Sequence, residues 1–130
     1  MKKAVELVAE AKAKIENLDV AGVDKERAAG VLLVDLREPA ELAESGRIAG
    51  SVNVPRGMLE FRADPTSPYH QEGFEPERRI ILHCATGGRS ALAAAALTDM
   101  GYTNVAHLDG GFKAWVAAGR PVESTTTAAR

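Results

Sequence analysis

Apolar positions set the first reading of the chain. Ala4, Val8, Ala11, Ile15 and Leu18 recur every three or four residues with Glu and Lys between them, which predicts an amphipathic helix over 3–16. Such a helix would pack on the domain as an N-terminal arm. Val31-Leu32-Leu33-Val34 is a continuous apolar run flanked by Gly30 and by charge, the pattern of a buried strand in a parallel sheet, and Asp35 marks its C-terminal end. Residues 38–45 read as a short helix, with Pro39 suited to the first turn and Gly46 to a left-handed cap. Val52-Asn53-Val54 is a second strand stopped by Pro55. From 56 to 76, prolines at 65, 68 and 76 and glycines at 57 and 73 predict a long loop with one helical turn. Ile80-Ile81-Leu82 resumes the strand pattern, residues 91–100 form an alanine-rich helix ended by Gly101, and 105–108 form another strand. Gly110-Gly111 opens a last helix carrying Phe112, Trp115 and Val116 at helical spacing, which closes at Gly119. Strand and helix alternate, which predicts a mostly parallel sheet covered by helices on both faces and joined by right-handed crossovers.

Length and composition narrow the possibilities. With 130 residues there is room for one domain and one proper core. The expected division is an N-terminal helical arm over 1–17, a domain over 18–122 and a disordered, small and polar tail over 123–130. Sixteen basic and eighteen acidic residues give a net charge of −2, so no overall field gathers nucleic acid or an anionic membrane, and any positive site must be local. The longest apolar run, Ala91 to Leu97, falls far short of the ~18–20 residues that cross a bilayer. Charged residues from Glu6 onward interrupt any export signal, so a cytoplasmic location is expected, or a periplasmic one had a signal been removed. One cysteine excludes an internal disulfide and Cys-x-x-Cys chemistry, and fits a reducing compartment.

The chemistry concentrates in His83-Cys84-Ala85-Thr86-Gly87-Gly88-Arg89-Ser90, between a buried strand and a helix. Ligands of open α/β sheets sit at the C-terminal ends of the strands, where Cys84 falls. Two glycines let the loop curl so that successive N–H groups point inward, and the following helix adds its positive end. An anion cradle with a thiol at its base favours thiolate, a nucleophile able to attack the outer sulfur of thiosulfate or polysulfide; the same amides, from Ala85, Thr86, Gly87, Gly88 and Arg89, then hold the persulfide. This chemistry requires no metal and no organic cofactor. Arg89 ends the loop, where its fork of donors meets an incoming anion or braces the helix.

The landmarks LLVDLREPAEL, GRIAGSVNVP, IILHCATGGRS and MGYTNVAHLDGGFKAW occur in that order, and the stretch from Val31 to Val122 resembles the rhodanese homology domain. The resemblance implies a rhodanese-like three-layer α/β fold with a central five-stranded, mostly parallel sheet. It also implies a persulfide-forming cysteine and sulfur transfer from a small anionic donor to cyanide or a thiol, with a protein as a further candidate acceptor. The segment PRGMLEFRADPTSPYH is similar to a subgroup proposed to act on polysulfide. Four residues separate Cys84 from Arg89, where phosphatase relatives have five; a tetrahedral phosphate needs the wider ring, so the shorter loop favours sulfur. Ala85 stands where many sulfurtransferases have arginine, and Arg47 replaces a frequent histidine. The first leaves the site less cationic and suits a longer or less charged donor than thiosulfate. The rival readings are a cysteine-dependent phosphatase or arsenate reductase, and a noncatalytic module that carries sulfur to, or binds, a partner protein.

Other residues weigh differently. Asp35, Arg37 and His70 are candidates for the mouth of the site, although a salt-bridge or turn role is the commoner one for the first two and an exposed loop position for His70. Glu38 joins Asp35 and Arg37 at that strand end. His83 is adjacent to Cys84 on a strand, so its side chain points to the opposite face, as a satisfied core histidine. His70, His83, Cys84 and His107 lack metal-ligand spacing. Trp115 reads as core. The sequence does not reach the oligomeric state.

Overall fold

The structure, a computed structural model, describes residues 1–125. A parallel sheet of five strands runs in the order β1 (Glu16–Leu18), β5 (Val105–Leu108), β4 (Ile80–His83), β2 (Leu32–Asp35), β3 (Val52–Asn53). The helices are α1 (Ala4–Lys12), α2 (Val20–Arg27), α3 (Pro39–Ser45), α4 (Leu59–Ala63), α5 (Gly88–Asp99) and α6 (Gly111–Ala117). Every residue of β2 and β4 is buried, as central parallel strands require, and alternate residues feed two cores. Leu32, Val34, Ile80 and Leu82 pack with Leu59 of α4 and with Ala93, Ala94 and Leu97 of α5. Leu33, Ile81 and Leu108 pack with Val23 of α2 and with Phe112 and Trp115 of α6. Helices therefore cover both faces, the three-layer α/β arrangement expected. Trp115 is wholly buried, with its indole N–H donated to the Pro121 carbonyl at 2.9 Å.

The N-terminus departs from its expected form. The helix predicted over 3–16 ends at Lys12; Ile15 turns into the first core and Leu18 belongs to β1, the edge strand of the sheet. The expected division between residues 17 and 18 thus falls within β1. Asn17 makes the turn, donating its side-chain amide to the Lys12 and Ile15 carbonyls at 2.9 and 3.2 Å. α2 follows at once, capped by Asp19, whose carboxylate accepts from the Gly22 amide at 2.8 Å. Arg79, just before β4, binds Glu16 and Glu26, both at 2.8 Å, and so ties β1 and α2 to the middle of the sheet.

Two other elements differ in extent. The segment 56–76 holds a 3-10 turn, Arg56–Met58, running directly into α4, before the loop begins at Asp64. Its apolar anchor is Phe74, fully buried in the first core. α5 starts at Gly88, three residues before the alanine-rich run, so the glycine loop is itself the first turn of the helix. Of the tail expected over 123–130, Glu123 forms a backbone bridge with Arg47 and an ion pair with it at 2.8 Å, and Thr125 donates its hydroxyl to the Leu42 carbonyl at 3.1 Å. Residues 126–130 lie outside the described residues.

Candidate active site

Cys84 follows β4 directly, and its sulfur faces the N-terminus of α5. Backbone N–H groups of Gly87 and Ser90 point at Sγ from 3.2 and 3.4 Å, and Ser90 Oγ lies 3.6 Å away. Gly87 permits this curl, at φ +107°, a conformation that side chains with a Cβ resist. The twelve residues of α5 add the partial positive charge of a helix start. Among the loop residues singled out from the sequence, Gly87 donates to the sulfur; Thr86 is exposed, and Ala85, Gly88 and Arg89 are half-buried. Ser90, one residue beyond that set, supplies the second amide.

A second glycine pair supports the loop from below. Gly111 has φ +63°, and a Cβ there would lie 2.7 Å from the carbonyl groups of Cys84 and Ala85. That close approach lets the first amides of α6 hold the loop: Phe112 N–H donates to the Cys84 carbonyl at 2.8 Å and Lys113 N–H to the Ala85 carbonyl at 3.0 Å. Gly110-Gly111 reads in the sequence as a helix opener; its fit beneath the cradle is visible only in three dimensions.

The thiol is 1% exposed, whereas reactive cysteines are expected to be partly open. It sits beneath the loop and contacts the first core. One residue along the chain, Ala85 borders an open cavity of about 610 Å³, whose other walls include Arg37, Glu41, Glu44, Phe112 and Lys113. Among the described residues two cations there face two carboxylates, and counting the partners Asp35 and Arg89 as well leaves the charges balanced.

Arg89 is committed to a partner. Its guanidinium grips Glu41 of α3 with two bonds of 2.9 and 3.0 Å, which holds the Glu41 carboxyl down at about 2, and the Arg89 pKa is raised in return, with a smaller contribution from Cys84. The Glu41 carboxylate also accepts the Glu38 N–H at 2.8 Å, so α3 and the cradle are clamped together.

The candidates at the mouth separate. Asp35 and Arg37 form a buried ion pair at 2.8 Å, 0% and 2% exposed at the side chain. Arg37 also donates to Ser45 Oγ and to the Gly46 carbonyl, at 3.1 and 2.8 Å, and lies 3.9 Å above the Phe112 ring. Arg37 reaches the cavity wall; Asp35 is sealed behind it. His70 is turned into its own loop, its Nε2 3.0 Å from the Phe74 carbonyl, and does not line the cavity. His83 is buried, as expected, but it is not satisfied: among the described residues neither ring nitrogen has a hydrogen-bond partner, and Nε2 lies 3.8 Å from Asp35 Oδ2. Burial pushes its pKa down, against the pull of Asp35. His107 is the histidine that joins the site, 2.8 Å from Ser90 Oγ through Nδ1. The sequence gives no sign of it, because Asn17, Ser90 and His107 meet only after β1 and β5 pair with Asn17 opposite His107.

Comparison with known proteins agrees with this geometry. The Rhodanese-like domain family matches residues 8–118. A sulfurtransferase of Allochromatium vinosum is 35% identical over 92 residues, which is 71% of this chain and 78% of that protein. The chloroplastic thiosulfate sulfurtransferase 16 of Arabidopsis thaliana is 33% identical over 100 residues, covering 74% and 82%. Among solved structures, the polysulfide-sulfur transferase homodimer of Wolinella succinogenes superposes with a TM-score of 0.75 at 27% identity, covering 90% of this chain and 84% of that one. A Rhodopseudomonas palustris protein of unknown function, described as a possible tyrosine phosphatase, superposes with a TM-score of 0.89 at 42% identity, covering 95% and 96%. With a buried cysteine at the end of its central strand, a helix start aimed at the sulfur and a family match spanning most of its length, the chain belongs to the rhodanese-like domain family.

Proposed function

We propose that this protein is a sulfurtransferase that carries sulfane sulfur as a persulfide on Cys84. The observation carrying the reading is the pair of backbone amides directed at Sγ from the start of α5. Hydrogen bonds of this kind stabilise the charged Sγ of the thiolate, the state that attacks the donor and that returns when the acceptor has taken the outer sulfur. The thiolate attacks the outer sulfur of the donor, an S–S bond forms, and the leaving group departs with its electron pair. Cyanide or a thiol then removes the outer sulfur and restores the thiolate. No cofactor enters these steps.

Three features favour a thin, weakly charged donor such as polysulfide over thiosulfate. The thiol is covered, so a chain of sulfur atoms reaches it with less displacement of the loop than a tetrahedral anion does. The cavity mouth is electrically balanced. Arg89, the cation nearest the loop, is neutralised by Glu41. The same features oppose phosphate, although the resemblance to a possible tyrosine phosphatase keeps that activity as the second reading.

A donor panel tests the proposal. Above the uncatalysed rate of each mixture, polysulfide with cyanide should give thiocyanate faster than thiosulfate with cyanide, and an aryl phosphate should give no turnover. Glu41→Gln removes one negative charge from the mouth and frees Arg89, and should raise the kcat/KM for thiosulfate on the order of fivefold with little change for polysulfide. Turnover of the aryl phosphate without any thiocyanate would replace the sulfurtransferase reading with the phosphatase one.

A further inference from the structure

Cys84 is 1% exposed, so its proton meets little water directly at neutral pH, yet the nucleophile requires that the proton leave. A row of side chains leads away from it. Ser90 Oγ lies 3.6 Å from Sγ and 2.8 Å from His107 Nδ1, and His107 Nε2 lies 2.8 Å from Oδ1 of the exposed Asn17.

The direction of every bond in this row is fixed from its outer end. Asn17 turns its NH₂ group to two carbonyls, so its Oδ1, which can only accept, faces the imidazole. His107 Nε2 therefore carries the ring hydrogen and Nδ1 presents a bare lone pair. The single hydroxyl hydrogen of Ser90 points at Nδ1, which makes its 3.4 Å approach to the Gly87 carbonyl a contact only. Toward Sγ the hydroxyl offers lone pairs, the arrangement that accepts an S–H hydrogen. All donors in the row point outward from the sulfur.

We infer that Ser90 and His107 form a proton path from the buried thiol, with Ser90 the first acceptor at the reacting sulfur and His107, held by Asn17, the positioning residue behind it. The inference rests on the persulfide reading above. As the Cys84 S–H bond breaks, its electron pair becomes the nucleophile. Its proton passes to Ser90 Oγ while the Ser90 hydrogen passes to His107 Nδ1. The new S–S bond forms as the donor's bond to its leaving group breaks, and an imidazolium then faces the persulfide anion. When the acceptor removes the outer sulfur, the returning thiolate recovers its proton by the reverse steps. No further reactant is consumed.

The surroundings of His107 leave it neutral at rest and make its imidazolium costly, so it holds the proton only while the new negative charge on Cys84 faces it. Burial holds it at about 4, so Nδ1 is free at rest. The charged groups facing it are Asp109, past the end of its own strand, which favours the imidazolium, and Lys12 of α1, which opposes it; these two pair with each other at 2.8 Å. β4 contributes Leu82 in register, and just past its end lies Cys84, whose negative charge appears as the proton arrives; α5 contributes Ser90 and β1 contributes Asn17.

Rapid mixing with inorganic polysulfide, followed by intact-protein mass spectrometry from pH 6 to 9.5, tests the path in the wild-type chain, Ser90→Ala and His107→Gln. The glutamine keeps a hydrogen-bond acceptor in place but cannot hold the proton. Both variants should form persulfide about tenfold more slowly, or worse, at pH 6.5 and regain most of the rate by pH 9.5, where hydroxide serves instead. If His107→Gln does not fold, Ser90→Ala, which deletes one oxygen, carries the test alone. Variants matching the wild type at every pH, or slowed by one constant factor throughout, would overturn the path while leaving the persulfide intact. A wild-type chain that gains no sulfur would overturn the persulfide reading, and the path with it.

Discussion

Arg37→Met is expected to cost about 3–5 kcal/mol of folding stability, the penalty for leaving one charge of a buried pair without its partner. Asp35 is completely buried, and Arg37 meets it through two side-chain contacts of 2.8 and 3.1 Å. Methionine fills much of the volume over Phe112 but supplies no donor. The damage should extend beyond Asp35, because the same guanidinium satisfies the Gly46 carbonyl and Ser45 Oγ at the end of α3. With it lost, α3 and α6 no longer meet across a shared cation at the cavity wall. Equilibrium unfolding in guanidinium chloride measures the change. A loss below about 1 kcal/mol, the range of exposed ion pairs, would mean that the pair is not buried in solution as it is here.

Acidification supplies the second large effect. His107 titrates at about 4 in the folded chain against an ordinary 6.5. Between those values the unfolded chain takes up a proton that the folded chain refuses, so stability is complete above pH 6.5 and falls as the pH drops toward 4. The interval of about 2.5 units corresponds to roughly 3 kcal/mol. His83, also lowered by burial, acts in the same direction. Carboxylates held low by partners, Glu41 and Glu26 among them, begin to lose their contribution near their ordinary 4.5, at the foot of this window, and lose most of it below. Denaturant unfolding at pH 7 and pH 4.5 should show the decline, and His107→Gln should reduce it. A wild-type stability that is flat across this range would contradict the burial assigned to both imidazoles.

The legible parts of the fold were those whose pattern is local. Continuous apolar runs mark β2 and β4, apolar residues on either side of His107 mark β5, and a proline and a glycine bracket α3, because burial on both faces and backbone geometry leave their signature in neighbouring residues. β1 was hidden since three residues of an edge strand, one of them half-buried and two exposed, have no period to detect. Ile15 and Leu18 instead continue the spacing of α1, so the predicted helix runs on to residue 16, past its observed end at Lys12. α2 has Gly22 in its first turn and Val23 as its one buried residue, too little to mark a helix; Asp19 as its cap was the available signal.

The candidate site divides the same way. Cys84 and the glycine turn are consecutive, so their chemistry could be proposed from spacing. Glu41, Asn17, His107 and Gly111 reach the loop from four other segments, and only the strand order brings them there. Arg89 reads as a free cation in the sequence, yet in the structure its fork closes on a carboxylate 48 positions away. Of the two strand histidines, the one adjacent to the cysteine is the one without a hydrogen bond, because alternation along β4 turns it to the other face.

The most direct test of the account is the mass of the intact protein after brief exposure to polysulfide. The expected result is a gain of one sulfur atom, mapped to Cys84, removed by cyanide and absent from Cys84→Ser. A folded wild-type chain that takes up no sulfur from polysulfide or thiosulfate, or takes it up equally without the cysteine, would contradict it.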